Sequence, residues 1–314
     1  MASTAGTAPI TNWTVDQLDD LTGRTYLITG GNSGIGYEAA AHLRRANASV
    51  IIAARSHDKG TTAAAMLQQV PGAGQVDLVQ LDLADLDSVR AANDAVRHLT
   101  DGLDAVINNA GIMQTPQRET ADGFELQFGT NHLGHVMLNH LMFDLVAARS
   151  GRIVPVSSVA HLQARSINLA DPMFAGEYNP TRVYSHSKLA NLMYGLELAR
   201  RLESAGSNVS CMSAHPGYSA TNLQSTGPTG VFKALYSVTN RLFAQSASAG
   251  AVPEVLAAAG NEARNGGYYG PTSWGGARGP VGDARVSDVA QDTEAAAALW
   301  TLTEELLGIT WDPS

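Results

Sequence analysis

Tyr184 and Lys188 stand four residues apart in the segment RVYSHSKLANL, whose composition is typical of a helix. Positions i and i+4 share one face of a helix, so the phenol and the ammonium can reach the same point. A free tyrosine has a pKa of about 10, too high for proton exchange at neutral pH, and a nearby positive charge lowers it. The pair therefore predicts a proton-transfer site. Because the same spacing also arises by chance, other residues must support this prediction.

A glycine-rich loop follows the first predicted strand. The segment TGGNSGIG, residues 29–36, connects the apolar run TYLITG to a predicted helix. Glycine has no Cβ and lets the backbone approach a phosphate, and the N-terminus of the following helix adds unpaired N–H groups. Strand, glycine loop and helix in this order are typical of dinucleotide binding. The predicted contacts are Gly30, Asn32, Ser33, Gly34, Ile35 and Gly36.

The residues after the second predicted strand bear on the choice of cofactor. NAD enzymes usually place an acid there for the ribose 2′-hydroxyl, whereas an arginine accommodates the 2′-phosphate of NADP. The segment AARSHDKG has Arg55 at this point and no acid at the strand end. We therefore expect NADP(H) rather than NAD(H), with Ser56 and Lys59 as assisting groups. A solvated loop arginine is the alternative for Arg55.

These groups need a scaffold, and the chain supplies alternating apolar runs and helical segments. Most of the runs are continuously apolar, as in parallel strands that are buried on both faces. Six of them separated by helix candidates predict an α/β fold: a Rossmann-type doubly wound parallel sheet in a single domain. The predicted strands are TYLITG from Thr25, SVIIAAR from Ser49, VDLVQLD from Val76, LDAVINNAG from Leu103, GRIVPVSS from Gly151 and NVSCMSAHPG from Asn208.

Pro155 conflicts with its place in the fifth predicted strand, because proline removes a donor from the ladder. We keep the strand and expect Pro155 at an interrupted or bulged point. Residues 1–314 are interpreted as one domain, with residues 1–24 as an N-terminal extension and residues 219–314 as a substrate-lid and C-terminal region.

The segment 225–247 has apolar residues at helical spacing, among them Val231, Leu235 and Val238. A packed amphipathic helix is the default interpretation. Glycine and proline ahead of the segment also suit a mobile lid that closes over a substrate with Val231, Phe232 or Leu235. A helix on a membrane surface is the third alternative.

Composition argues against several classes of function. The 314 residues carry a formal net charge of −9 and no basic block, which argues against nucleic-acid binding. The single cysteine, Cys211, excludes an intrachain disulfide and suits a reducing compartment. The N-terminal segment lacks the features of a signal peptide, and no apolar run is long enough to predict a membrane span. We therefore expect a cytoplasmic protein.

A histidine-rich segment invites a metal hypothesis. NHLGHVMLNH contains His132, His135 and His140, and the first two share a helix face. A metal site needs further converging ligands, which the sequence does not indicate. We expect no metal.

Together the motifs resemble those of the classical short-chain dehydrogenases/reductases. The glycine loop follows T-G-x-x-x-G-x-G, Tyr184 and Lys188 match Y-x-x-x-K, and NNAG, FGTN, VSS and HPG occur in the family's order. The resemblance implies a catalytic tetrad of Asn131, Ser158, Tyr184 and Lys188, with Ser157 as the less favoured serine. It also implies that Lys188 holds the nicotinamide ribose and that Asn131 positions a water beside Lys188. The cofactor contacts it implies are Asp82, Leu83, Asn109, Ala110, Gly111, Tyr184, Lys188, Pro216, Gly217 and Thr221.

Within this family the chain resembles retinol dehydrogenase-like and protochlorophyllide reductase-like members. GGNSGIGYEAAAHL and FGTNHLGHVMLNHL carry this likeness. Ser158 and Tyr184 are 26 positions apart (184 − 158), and the residues between them resemble an insertion found in this branch. The resemblance implies NADP(H)-dependent interconversion of a carbonyl and an alcohol, with an apolar substrate.

Two other functions are open from the sequence. An extended-type epimerase or dehydratase also carries Y-x-x-x-K, although its loop usually closes as T-G-x-x-G-x-x-G. A non-catalytic NADP-sensing protein would typically lose the tyrosine or the lysine. The sequence indicates neither the substrate nor the direction of reaction. It leaves open a homo-oligomer, either dimer or tetramer, since the helix over residues 184–202 suits burial and a subunit interface equally.

Overall fold

The computed structural model describes residues 8–218 and 245–313. Thr221, the residues proposed for the lid (Val231, Phe232 and Leu235) and Val238 of the same segment lie outside these ranges. The strands are β1 Thr25–Thr29, β2 Ser49–Ala54, β3 Val76–Gln80, β4 Ala105–Asn108, β5 Arg152–Pro155, β6 Ser210–Cys211, β7 Ser213–Ala214, β8 Tyr268–Ser273 and β9 Arg278–Asp283. The helices are α1 Gly34–Arg45, α2 His57–Gln68, α3 Leu86–Leu99, α4 Leu126–Phe128, α5 Gly134–Ala147, α6 Pro180–Ala205, α7 Ala247–Ala259 and α8 Thr293–Leu307.

Strands β1 to β6 form one parallel sheet in the order β3-β2-β1-β4-β5-β6. Neighbouring residues of a strand point to opposite faces, so Leu27 packs under α3, α5 and α6, while Ile28 packs under α1, α2 and α7. This confirms the predicted doubly wound fold. The strand order reverses between β1 and β4, and in such sheets ligands bind at the carboxyl ends of the strands beside this point.

Pro155 ends β5 in regular register with β4, but the ladder on its other side is interrupted. Met212 donates its N–H to the Ile153 carbonyl at 3.1 Å. Ser157 donates its N–H to the Ala214 carbonyl at 2.8 Å. In a parallel ladder the two strands donate N–H groups alternately. Between these two hydrogen bonds, the next donor from β5 would be the N–H of residue 155, which proline lacks. The missing donor divides the sixth predicted strand into β6 and β7.

The sequence pattern does not indicate strands β8 and β9. β8 runs parallel to β7, and β9 runs antiparallel to β8. A bridge between Val156 and Ala214 connects these strands to the main sheet. Their sequences, YYGPTS and RGPVGD, contain glycine and proline, which are depleted in strands. Pairing of β8 with β7, and of β9 with β8, overrides that local preference.

The helix that carries Tyr184 and Lys188 has clear signals at both ends. Asn179 accepts from the N–H groups of Thr181 and Arg182 at the N-terminus of α6, and Gly206 ends the helix in the left-handed region at φ 66°. These caps fix the turn on which both candidate catalytic residues lie.

Helix α8 covers one side of α6. Trp300 of α8 stacks on Tyr194 with ring centroids 5.6 Å apart, and the guanidinium of Arg201 lies 4.3 Å from the Trp300 centroid. On this side, the apolar surface of α6 is therefore buried within the chain itself rather than left for a second subunit.

Candidate active site

The glycine loop turns sharply between β1 and α1. Gly30 and Gly34 have φ of 67° and 58°, in the left-handed region that favours glycine. A Cβ on Gly36 would come within 2.7 Å of the Gly30 carbonyl oxygen and would also clash with Asn109. Asn109 itself donates from Nδ2 to the Thr29 carbonyl at 2.6 Å. Gly36 therefore allows α1 to pack closely against the end of β4. Other residues of the glycine loop, rather than Gly36 itself, line the adjacent cleft.

The N-terminus of α1 is open toward this cleft. Ser33 is the N-cap residue, yet within the described chain its side chain makes no capping hydrogen bond, and the first turn of α1 holds no acid. The first N–H groups therefore retain their hydrogen-bonding capacity, and no side chain compensates the positive end of the helix dipole. Such an end fits an anionic phosphate group.

The cleft continues from the glycine loop past the ends of β2, β3 and β4 and has a volume of about 230 Å³. Arg55 is exposed at its far end, and among the described residues it takes part in no ion pair. Ser56 accepts from the Lys59 N–H at 3.4 Å and so caps α2. The predicted cofactor contacts that line the cleft are Gly30, Asn32, Ser33, Gly34, Ile35, Arg55, Asp82, Leu83, Asn109, Ala110 and Gly111.

A second cavity of about 220 Å³ adjoins the cleft, and Ile35, Asn109 and Gly111 line both. It lies where β5 and β7 end, beside α6. The predicted residues that line it are Ser158, Tyr184, Lys188, Pro216 and Gly217. The nucleotide loop and the candidate proton-transfer groups therefore face one continuous space.

Asn131 lies behind the wall of this space. It belongs to a π-helical segment, Gly129–Leu133, of a kind often found at functional sites, and is fully buried. Its side chain accepts from the Ile112 N–H at 2.8 Å and donates to the Ile112 carbonyl at 2.9 Å and to Ser187 Oγ at 3.0 Å. Asn131 thereby connects the segment after β4 to α6. The water that it is expected to position stays a prediction.

The two adjacent serines after β5 have different partners. Ser157 is buried, and its Oγ donates to the Lys188 carbonyl at 2.7 Å. Ser158 begins the 3₁₀ turn Val159–Gln163, where its Oγ accepts from the Ala160 N–H at 3.2 Å. Ser158 therefore keeps its hydroxyl hydrogen for a group in the cavity, whereas Ser157 uses its own to hold α6.

Alanine variants of the two serines should separate catalysis from packing. Ser158→Ala is expected to lower kcat/KM about 10²-fold, because a donor to the substrate oxygen is lost. Ser157→Ala should have a much smaller kinetic effect and lower the free energy of unfolding by about 1 kcal/mol, because one hydrogen bond is lost. Steady-state kinetics and urea unfolding of both variants check this. Equal kinetic losses would contradict the assignment of Ser158.

Lys188 lies close to Tyr184, as their spacing predicts. Its Nζ donates to the Val156 carbonyl at 3.0 Å and lies 6.0 Å from the centroid of the Tyr184 ring. Burial lowers the pKa of Lys188 to about 8, and the negative charge of Glu254 opposes this shift. At neutral pH Lys188 is therefore still positively charged, as stabilisation of a phenolate requires.

Glu254 of α7 lines the same cavity, and the sequence analysis does not identify it. Its side chain is fully buried. Burial raises the pKa of Glu254 to about 8, while the positive charge of Lys188 opposes that shift. The available signal was a single acid in the apolar segment AGAVPEVLAAAG, because glutamate is seldom fully buried without a partner.

His132 and His135 have structural partners at both ring nitrogens. His132 contacts Asn191 Oδ1 at 3.2 Å and Thr303 Oγ1 at 3.1 Å. His135 contacts Thr29 Oγ1 at 2.9 Å and the Asn131 carbonyl at 3.0 Å. Burial lowers their pKa values to about 4 and 3, respectively, so both rings are neutral at pH 7. These partners explain the buried histidines as elements of packing.

Comparison with known proteins identifies the family. The family model described as short chain dehydrogenase matches residues 24–231, which is more than half of the chain. The chain belongs to the short-chain dehydrogenase family. The match spans the glycine loop and the Tyr184–Lys188 pair, and it confirms the resemblance drawn from these motifs.

Relatives within the family include retinol dehydrogenases. Human retinol dehydrogenase 14 is 36% identical over 304 residues, which cover 91% of this chain and 87% of that protein. Human retinol dehydrogenase 11 is 44% identical over 200 residues, which cover 63% of this chain and 61% of that protein. The chloroplastic short-chain dehydrogenase TIC 32 B of Brassica napus is 39% identical over 210 residues, with coverages of 63% and 65%. The resemblance to retinol dehydrogenase-like members is thereby confirmed.

Solved structures share the fold. The crystal structure of an uncharacterised protein from Mycobacterium paratuberculosis gives a TM-score of 0.79 at 41% identity and covers 95% of this chain and 98% of that chain. L-sorbose reductase from Gluconobacter frateurii gives a TM-score of 0.62 at 22% identity, with coverages of 79% and 95%, and so shows the fold alone. In the described ranges of this chain, no helix combines the length and hydropathy that crossing a membrane requires.

Proposed function

We propose that the protein is an NADP(H)-dependent oxidoreductase that interconverts a carbonyl and an alcohol by hydride transfer. The observation that carries this proposal is the continuous space from the open N-terminus of α1 to Ser158, Tyr184 and Lys188. The glycine loop and the uncapped helix end fit a dinucleotide diphosphate, and the cavity places proton-transfer groups beyond them.

The protein residues have separate tasks in the proposed reaction. A bound nicotinamide cofactor supplies the hydride for reduction of the carbonyl carbon. Ser158 donates a hydrogen bond to the carbonyl oxygen, and Tyr184 gives its phenolic proton to the same oxygen as negative charge develops there. Lys188 stabilises the phenolate that remains. Oxidation of the alcohol uses the same groups in reverse, with Tyr184 as the base.

Arg55 supports the choice of NADP(H), and its effect can be measured. NADPH is expected to bind at least about tenfold more tightly than NADH, a difference of about 1.4 kcal/mol, because the guanidinium can contact the 2′-phosphate. Arg55→Ala should remove most of this difference, whereas Arg149→Ala, an exposed arginine outside the cleft, should not. Fluorescence titrations of both cofactors check this. Equal affinities in the unmodified protein would contradict the assignment.

The substrate that we propose is apolar. Met113, Val156, Val159 and Ala160 contribute to the lining of the cavity beside Ser158 and leave room for an apolar group. The names of the retinol dehydrogenase relatives support the same class, since retinol is an apolar alcohol.

A panel of carbonyls and alcohols tests the proposed activity. Apolar aldehydes and ketones, retinal among them, are incubated with the protein and NADPH, and the corresponding alcohols with NADP. A change in NADPH absorbance is expected with at least one pair. An epimerase or dehydratase would convert its substrate without net change in NADPH, and a sensor would bind NADPH without turnover.

We also propose a cytoplasmic location. Cys211 is fully buried, and burial raises the pKa of its thiol well above the ordinary range. Such a thiol is inert and needs no oxidising environment. Fractionation of cells that express the full chain checks this proposal.

A further inference from the structure

Glu254 is a buried carboxyl group in the space where the proposed reaction takes place. It lines the cavity that also contains Tyr184 and Lys188. In the described part of the chain, neither of its carboxyl oxygens has a hydrogen-bond partner. Removing an ionisable group from water is costly unless a charge or a hydrogen bond compensates it. A buried glutamate at this position therefore points to a function within the cavity.

The positive charge of Lys188 opposes the cost of burying a charged Glu254, although the described residues include no ion pair between the two side chains. Among the described residues, Lys188 is the one charged group that affects the pKa of Glu254. Glu254 is likewise the one charged group that affects the pKa of Lys188. The two side chains come from opposite faces of the sheet, because α6 covers one face and α7 the other. Tyr184 of α6 and His135 of α5 also face the lysine, and burial keeps His135 neutral by lowering its pKa to about 3.

Other titratable groups on the elements around α7 act elsewhere. His42 contacts Ser248 in the first turn of α7, and Arg152 donates to the carbonyls of Ala257 and Gly260 at its C-terminal end. Within the described ranges, no titratable group on the elements around α7 contributes to the shifted pKa of Glu254. The titratable and charged groups on these elements are Asp16 of the 3₁₀ turn Val15–Gln17, Tyr37, Glu38, His42, Arg44 and Arg45 of α1, Arg152 of β5, His215 after β7, Tyr268 and Tyr269 of β8, and Arg278 and Asp283 of β9.

We propose that Glu254 is a positioning residue that acts through Lys188: its carboxylate raises the pH at which the lysine loses its proton, and so widens the pH range in which Tyr184 can exchange its own. This inference rests on the proposed oxidoreductase function. Burial alone favours the neutral amine, whereas a carboxylate nearby favours the ammonium. Without Glu254, no opposite charge offsets the burial of the lysine, which then loses its proton at a lower pH.

The pH dependence of carbonyl reduction tests this role. Glu254→Gln keeps the shape of the side chain and removes its charge, so the alkaline midpoint of kcat/KM should fall by about one pH unit. Near pH 6 the rates of variant and unmodified protein should converge, because burial keeps Glu254 protonated there. Glu203→Gln, the same exchange at an exposed position of α6, should leave the profile unchanged.

Glu254→Met is the second variant if the glutamine variant does not fold, because it keeps the side-chain length without a polar atom. It should shift the alkaline midpoint in the same direction. A folded variant of either kind whose alkaline midpoint equals that of the unmodified protein would overturn the proposal.

A stability measurement separates this proposal from the proposed activity. In Lys188→Met, no ammonium opposes the raised pKa of Glu254, so the folded state should lose stability as pH rises from about 6 to 9. Removal of Glu254 is therefore measured in two backgrounds, by comparing the unmodified protein with Glu254→Met and Lys188→Met with Lys188→Met/Glu254→Met. The pH-dependent fall in melting temperature that Glu254 causes should be larger in the background without Lys188. Equal differences in the two backgrounds would show that the two groups are not paired. If no carbonyl is reduced but the differences are unequal, the proposed activity fails while the pairing stands.

Discussion

Tyr184→Phe is expected to lower kcat for carbonyl reduction by about three orders of magnitude and to leave NADPH affinity within about twofold of the original. The substitution removes the hydroxyl that donates the proton and keeps the ring that lines the cavity beside Lys188. Binding of the cofactor depends mainly on the glycine loop and Arg55, which the substitution does not touch. Steady-state kinetics and NADPH fluorescence titration measure the two effects separately.

Tyr37→Phe is the matched control for this result, because Tyr37 lies on α1 and lines neither the cleft nor the cavity. It should keep its activity. If Tyr184→Phe retained a tenth of the activity on a good substrate, another group would have to supply the proton.

Lys188→Met should damage both catalysis and cofactor binding. We expect a loss in kcat of about 10²-fold or more, because the phenolate of Tyr184 loses the charge that stabilises it. We expect the Kd of NADPH to rise about tenfold, or about 1.4 kcal/mol, because the lysine is also expected to hold the nicotinamide ribose. The same kinetic and fluorescence measurements apply.

Comparison of the two variants gives the decisive contrast. Tyr184→Phe should change kcat alone, whereas Lys188→Met should change kcat and the Kd of NADPH together. A lysine variant whose NADPH affinity is unchanged would contradict the ribose contact and leave only the electrostatic role.

The parts of the fold and the site that short segments determine can be predicted from the sequence. The glycine loop, the Tyr184–Lys188 spacing and the apolar strands act through neighbouring residues, so their patterns predict the doubly wound parallel sheet and the candidate residues of the site. Pro155 is informative for the same reason, since its missing N–H marks the break between β6 and β7.

Long-range contacts account for what the sequence did not reveal. β8 is a strand because β7 offers it a partner, and β9 is a strand because it pairs with β8, both against the preference of their glycines and prolines. Glu254 enters the site only because α7 packs across the sheet from α6, 66 residues after Lys188 (254 − 188). The division of labour between Ser157 and Ser158 likewise depends on where α6 passes the end of β5.

The Val156 carbonyl, which accepts from Lys188 Nζ at 3.0 Å, also accepts from Asn191 Nδ2 at 3.2 Å. β4 pairs with β5 only as far as Pro155, so this carbonyl is the first one past the end of that ladder. Two side chains of α6 therefore occupy the place that a longer β4 would fill with backbone amides. The length of β4 therefore affects the proposed proton transfer. An added residue that prolonged the pairing of β4 with β5 would compete with Lys188 for the Val156 carbonyl.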